Sequence, residues 1–185
     1  LEGGAIDTNG KGLAIMTEES ILNSNRNPGL TKRKIETALN EYLGIKEAIW
    51  LSRGLIGDDT DGHIDVFCRF VNKDKLLLVW DDRHSGPNRD IMNESKRELE
   101  MWIERYELEL ELLFLPLPLG VEVLNENVLA TYANFYIGNK NILVPVFGVK
   151  EDEEAINIIQ EAASNKEVVP VNCSELFYGL GGIHC

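Results

Sequence analysis

Two short segments hold the residue types that nucleophilic chemistry needs. Residues 57–69 read GDDTDGHIDVFCR, with His63 and Asp65 two apart at the start of an apolar stretch. An imidazole exchanges protons near neutral pH, and a carboxylate accepts paired N–H bonds from a planar cation. On a strand the two side chains would share one face, with Ile64 and Val66 on the other. A buried, mutually satisfied His–Asp pair at a strand end accounts for the same spacing about as well. Residues 179–185 read GLGGIHC, so Cys185 follows a glycine-rich turn that lets backbone approach a ligand closely. A thiolate nucleophile needs a lowered pKa and some exposure. The usual fate of a free cysteine is a buried apolar position. Cys68, in an apolar strand, and Cys173, in the polar context NCSEL, fit that fate better.

Two further positions carry weaker signals. Glu2 precedes two glycines in EGG, a pattern that a simple turn also explains. Asn134 lies in YANF, at residues 132–135, where it can hydrogen-bond a substrate or cap a turn, and spacing does not choose between them.

The elements that must position these residues recur in one order. Gly12–Thr17 (GLAIMT), Lys75–Trp80 (KLLLVW) and Asn141–Val146 (NILVPV) are short apolar runs of strand type. Each follows another strand candidate: Glu2–Asp7, His63–Phe70 and Tyr132–Gly138. Each precedes a helix candidate: Thr31–Leu43, Asn93–Leu108 and Glu151–Ala163. Each helix leads to a further strand: Ala48–Ser52, Leu110–Leu115 and Val168–Val171. Thr31 is placed to cap the first helix, Ile35, Ala38, Leu39 and Tyr42 to form its buried face, and Gly44 to end it. Asp152, Glu153 and Glu154 put negative charge at the start of the third helix, where its dipole favours it. Ala155, Ile158, Ile159 and Ala162 make that helix's apolar stripe.

The unit is therefore strand, strand, helix, strand, repeated about every 60 to 70 residues. A unit of this size cannot bury its apolar faces alone, so the units must pack on one another. Residues 179–185 read as the start of a further unit, and nothing resembling a linker divides the chain. Glu2, His63, Asn134 and the glycines before Cys185 occupy equivalent early positions of successive units. If the units pack round an axis, those polar ends meet in one pocket. Carboxylates, an imidazole and a thiol together suit attack on a cationic, electrophilic carbon.

Bulk properties narrow the partners. The 185 residues carry a formal net charge of −13, which argues against nucleic acid and against anionic membrane surfaces. The same field attracts cationic ligands, although plain solubility explains the charge equally simply. The longest apolar run, Leu112–Leu119, is interrupted by Pro116 and Pro118 and is too short to cross a bilayer. The three cysteines form no C-x-x-C pair, so a structural zinc site is not expected and a reducing compartment, the cytoplasm, is. The start LEGGAID reads as a strand already under way, and no secretory signal is visible.

Five segments in order, EGGAIDTNGKG, NRNPGL, GDDTDGHID, YANFYIGN and GGIHC, resemble the agmatine deiminase and bacterial peptidyl-arginine deiminase family. The likeness runs over essentially the whole chain, and five ordered motifs are far more specific than any one. It implies an α/β-propeller, the pentein fold of five ββαβ-type units round a pseudo-fivefold axis, with about three present here. It implies Cys185 as nucleophile and His63 as general acid/base. It implies Asp65 as the carboxylate gripping a guanidinium, Glu2 as the glutamate that orients and charges the histidine, and Asn134 as a site-lining amide. No metal or organic cofactor is implied. The implied partner is a cationic guanidinium small molecule, agmatine or an arginine derivative, and relatives often form homo-oligomers. The expected reaction is hydrolytic deimination, most simply agmatine to N-carbamoylputrescine and ammonia.

Two departures qualify the likeness. The family's earlier segment, with Trp-rich and Arg-Asp-Gly-Pro-type motifs and a second guanidinium-binding aspartate, has no counterpart here, nor do the residues that follow the cysteine. Residues 1–185 are thus expected to be the C-terminal part of one catalytic domain, inactive alone unless complemented. Val66 also stands where members often have Asn. Three alternatives stay open: a peptidyl-arginine or free-arginine deiminase, an amidinotransferase on the same fold, and a non-catalytic binding protein of pentein type.

Overall fold

The computed structural model describes residues 1–83, 85–179 and 181–184. Its architecture is the ββαβ unit three times over. The first unit runs β1 (Ile6–Thr8), β2 (Leu13–Thr17), a short α1 (Glu18–Ile21), α2 (Lys32–Leu43) and β3 (Glu47–Leu51). The second has β4 (Cys68–Phe70), β5 (Lys75–Val79), α3 (Pro87–Arg105) and β6 (Glu111–Leu115). A small hairpin, β7 (Glu122–Val123) with β8 (Glu126–Asn127), precedes the third unit. That unit has β9 (Tyr136–Ile137), β10 (Asn141–Val146), α4 (Glu151–Ala162) and β11 (Glu167–Asn172), and α5 (Ser174–Tyr178) follows.

Each unit makes a three-stranded sheet with the long apolar strand in the middle. The first strand pairs with it antiparallel and the post-helix strand parallel, in all three cases. A strand flanked on both sides reads as a continuous apolar run rather than an alternating one, and Leu76–Val79 are all 0 % exposed. Pro145 is tolerated inside β10 because β9 reaches only Ile142 and Leu143, leaving the sheet one-sided at the proline. The largest apolar cluster joins all three units, with Ile15, Ile49 and Leu51 from the first, and a smaller one lies under α2.

The local signals act as expected in α2: the Thr31 side chain accepts the Lys34 N–H, and Gly44 ends the helix at φ 68°. Tyr42 departs from the expected buried face. It is 77 % exposed, because the apolar stripe is narrow and Ile35 and Leu39 alone fill it. The second helix begins at Pro87 rather than Asn93, since proline's fixed φ suits a first turn. The Asn93 side chain instead accepts the Trp80 indole N–H at 2.9 Å.

The strand expected over His63–Phe70 is shorter and begins with a turn. Residues 64–66 form one turn of 3-10 helix, and pairing starts only at Cys68. The cause lies upstream. The Asp58 carboxylate accepts backbone N–H bonds from Thr60, Gly62 and His63, which curls the chain before it can extend. Gly3–Ala5 likewise form a 3-10 turn ahead of β1. Ile64 goes into the core, but Val66 lines the same cavity as His63 and Asp65 rather than the opposite face.

One buried cation ties the units together. Arg69, 3 % exposed, donates through Nε to Asp7 of β1 at 3.0 Å and through Nη1 to the Ala133 and Phe135 carbonyls. It also lies 4.9 Å from the centre of the Phe135 ring. No helix among the described residues is long and apolar enough to cross a membrane. Removing one partner of a buried ion pair strands the other. Asp7→Ala is therefore expected to cost about 3 kcal/mol in urea denaturation, and Arg69→Met added to it to recover part of that loss. Equal midpoints for the single and double variants would show that the charge is not what matters.

Candidate active site

His63 is placed by its backbone. Its N–H donates to Asp58 Oδ2 at 2.9 Å, and the preceding Gly62 carbonyl accepts the Thr17 hydroxyl at 2.6 Å. The ring is 2 % exposed. Its two nitrogens face different surroundings. Nε2 lies 2.6 Å from a Glu2 carboxylate oxygen, whereas Nδ1 is buried without a hydrogen-bond partner among the described residues, 3.9 Å from Asp65 Oδ1. With Nε2–H directed at Glu2, Nδ1 is left to accept a proton in the neutral ring and to donate one in the cation.

The Glu2 carboxyl is held below the usual glutamate range. The hydrogen bond to His63 is the largest cause, burial opposes it, and the nearby Arg26 charge adds to it. The second glycine after Glu2 has a steric reason. A Cβ on Gly4 would lie 2.7 Å from both Asp65 Oδ2 and His63 Nδ1. Only glycine lets this turn pass so close to both side chains.

Asp65 is 2 % exposed, and its Oδ2 accepts two donors: Asn134 Nδ2 at 3.1 Å and His184 Nδ1 at 2.9 Å. Asn134 in turn accepts the His184 backbone N–H at 2.9 Å. Arg69 binds the carbonyls on either side of Asn134, and the Tyr132 hydroxyl donates to Asp152 at 2.7 Å. The YANF segment is therefore fixed at both ends. A Cβ on Gly182 would fall 1.9 Å from Asn134 Oδ1, so the last glycine of GLGG is needed for the tail to reach Asn134 at all.

These groups border a cavity of about 420 Å³. His63, Asp65, Asn134 and His184 line it, with Phe177 and Tyr178 of α5 and the β7–β8 hairpin as walls. Its charged lining is otherwise acidic, Asp58, Asp59 and Glu126, and neither lysine nor arginine is among the described lining residues. Glu2 does not line it. Glu2 borders a separate space of about 300 Å³, together with Arg26.

Of the residues picked out in the sequence, the structure brings Glu2, His63, Asp65 and Asn134 together. Cys185 lies outside the described residues, although the preceding His184 borders the cavity. Burial pushes the thiols of Cys68 and Cys173 up, against any nucleophilic role. Sequence reasoning passed over Asp58, Arg26 and His184. Arg26 stands in NRNPGL and His184 in GGIHC, but neither spacing indicates a partner. Among the described residues no cluster of three or more His, Cys, Asp or Glu side chains is arranged to hold a metal ion.

Comparison with known proteins places this arrangement. The Porphyromonas-type peptidyl-arginine deiminase family matches residues 1–185. The chain is 36% identical to an agmatine deiminase of Pseudomonas aeruginosa over 203 residues, covering 100% of this chain and 55% of that protein. It is 37% identical to an agmatine deiminase of Medicago truncatula over 207 residues, with 100% and 55% covered. The solved agmatine deiminase of C. jejuni with substrate bound superposes with a TM-score of 0.89 at 34% identity, over 100% of this chain and 54% of that one. An amidinotransferase from Microseira wollei, at 12% identity and a TM-score of 0.52, shares the fold alone. The chain spans about half the length of the curated relatives it matches.

The Glu2–His63 contact has a measurable signature. The Glu2 carboxyl, followed by carbon NMR, should titrate below free glutamate, and His63→Ala should move it back up, because its largest cause has gone. A carboxyl that titrates identically in both proteins would mean that the two groups are not bonded in solution.

Proposed function

The chain belongs to the Porphyromonas-type peptidyl-arginine deiminase family, and from that premise we propose that it supplies the nucleophile and the acid/base of a guanidine deiminase acting on agmatine. The observation that carries this reading is the state of His63, which lines the acid-lined cavity: one nitrogen is bonded to Glu2, and the other is buried beside the Asp65 carboxylate with no partner among the described residues. A buried nitrogen without a partner is costly, and a substrate that supplies or takes a proton there removes the cost.

The chemistry balances with these groups. The guanidinium N–H donors engage Asp65 Oδ1, the oxygen not already taken by Asn134 and His184. The Cys185 thiolate attacks the guanidinium carbon and forms a C–S bond. One C–N bond breaks, and the departing ammonia takes the Nδ1 proton of His63. Nδ1 then takes a proton from water, whose oxygen attacks the amidino-thioether. The C–S bond breaks and the thiolate returns, the new hydroxyl gives its remaining proton to the released ammonia, and a neutral ureido product leaves. The sum is guanidinium plus water giving urea derivative plus ammonium. Glu2 holds Nε2 and so fixes the ring for transfer at Nδ1. No cofactor enters this scheme.

The cavity lining favours agmatine among guanidines. A terminal ammonium is welcome beside Asp59 and Glu126, while the α-carboxylate of free arginine meets like charge with no described cation to offset it. The product, N-carbamoylputrescine, places the activity on a route to putrescine, and a thiolate nucleophile fits the reducing cytoplasm. Because the chain spans about half its relatives' length, the 185 residues alone are proposed to be inactive.

The test uses the longest reading frame that contains this chain, with ureido product measured colorimetrically. Agmatine should be turned over, arginine and arginyl peptides far less. Cys185→Ser should lower turnover by at least about a thousandfold, while Asp65→Asn should mainly raise KM. Product from arginyl peptides but not from agmatine would replace the substrate. Guanidine binding without any ureido product would leave a binding protein in place of an enzyme.

A further inference from the structure

Glu2 is the exposed member of the acid/base pair. Its side chain is 53 % exposed, against 3 % for the His63 side chain it contacts, so packing does not hold it. An exposed glutamate side chain keeps its rotamer freedom unless specific contacts remove it. One contact is His63 Nε2. The other is Arg26 Nη1, which binds the same Glu2 oxygen that faces the imidazole.

Arg26 is itself firmly placed. Its Nε donates to Asp61 Oδ2 at 2.9 Å. Its loop is wound on Asn23, whose carbonyl accepts the backbone N–H groups of Arg26 and Asn27 and whose side chain accepts that of Asn25. The Asn27 side chain adds a bond to the Ile21 carbonyl at 2.9 Å. Asp61 adopts φ 59°, an unusual conformation for a residue other than glycine, two positions before His63. The guanidinium therefore braces Glu2 against the very loop that carries His63. It does so with two edges of one rigid plane, which a lysine ammonium cannot reproduce. Among the described residues, the charged groups facing Glu2 are His63 and Arg26, and those facing Arg26 are Glu2 and Asp61.

We propose that Arg26 is a positioning residue for the deiminase reaction: anchored on Asp61, it pins the Glu2 oxygen that orients His63. The inference rests on the deiminase reading above for its kinetic consequences. Arg26 touches neither the substrate cavity nor Asp65, so its loss acts on the proton-transfer steps rather than on guanidinium binding. It also helps to keep Glu2 ionised, beneath the larger effect of the His63 hydrogen bond. The sign follows from that direction. Glu2 accepts the His63 Nε2–H as a carboxylate, so the brace weakens and activity declines as pH falls through its pKa. Removing the guanidinium raises that pKa and moves the acid limb of the kcat profile up.

The experiment compares Arg26→Gln, Arg26→Lys and Asp61→Asn in the longest reading frame containing this chain. Arg26→Gln should lower kcat by about ten- to a hundredfold, leave the KM for agmatine within about twofold, and move the acid limb to higher pH. Arg26→Lys should keep the acid limb, because it keeps the charge, yet recover only part of kcat. Asp61→Asn should move kcat in the same direction by less, and it carries the test if Arg26→Gln fails to fold. A variant with wild-type kcat overturns the proposal. So does a loss shared equally by KM and thermal midpoint with an unmoved pH profile, which would make Arg26 a purely structural residue. If the wild-type protein turns over no guanidine, the functional reading fails separately. Carbon NMR of the Glu2 carboxyl then decides on Arg26, since a titration unchanged in Arg26→Gln overturns its part.

Discussion

Asp65 brings a carboxylate to a place where 2 % of the residue meets solvent, and much of the molecule is arranged round that fact. An ion taken out of water is tolerated only with donors close by. Here the donors come from far along the chain: Asn134 from the third unit and His184 from the tail both bond one oxygen. The other oxygen looks towards His63 Nδ1. Three separate stretches thus converge on one side chain, and the turn at Gly4 passes close enough that a single methyl group would collide with it.

The imidazole beside Asp65 divides two environments. The residue lines the acid-lined cavity, and Nδ1 is buried beside Asp65. Nε2 meets Glu2, which together with Arg26 borders a separate space. Fixing one nitrogen by a carboxylate leaves the other with a defined role, which is how a histidine is committed to proton transfer at one atom. The backbone contributes as much as the side chains. The Asp58 carboxylate gathers three N–H groups into the turn, and Thr17 holds the Gly62 carbonyl. Orientation of the ring is therefore set by the first unit as well as by its own.

The ββαβ order, the three central strands and the middle of each helix are legible in the sequence. Apolar runs and helical periodicity are local patterns, and β10 coincides with its expected range of Asn141–Val146. The exceptions occur where a side chain overrides the pattern. His63–Phe70 reads as a strand, yet Asp58 curls its first half, and Tyr42 keeps helical phase while facing solvent. The α5 segment and the β7–β8 hairpin, both walls of the cavity, carry too short a pattern to stand out.

By itself, the amino-acid order determines which residues are available for chemistry, and its five ordered motifs determine the family. It also sets the repeat, because periodicity of apolar side chains needs only neighbours in the chain. Which groups meet was decided only by the tertiary structure. Glu2 finds His63 across 61 positions, and Asp65 finds His184 across 119. No local spacing encodes such pairings. They exist because packing the units brings distant polar ends together, where a buried charge must find donors and an exposed one must be held.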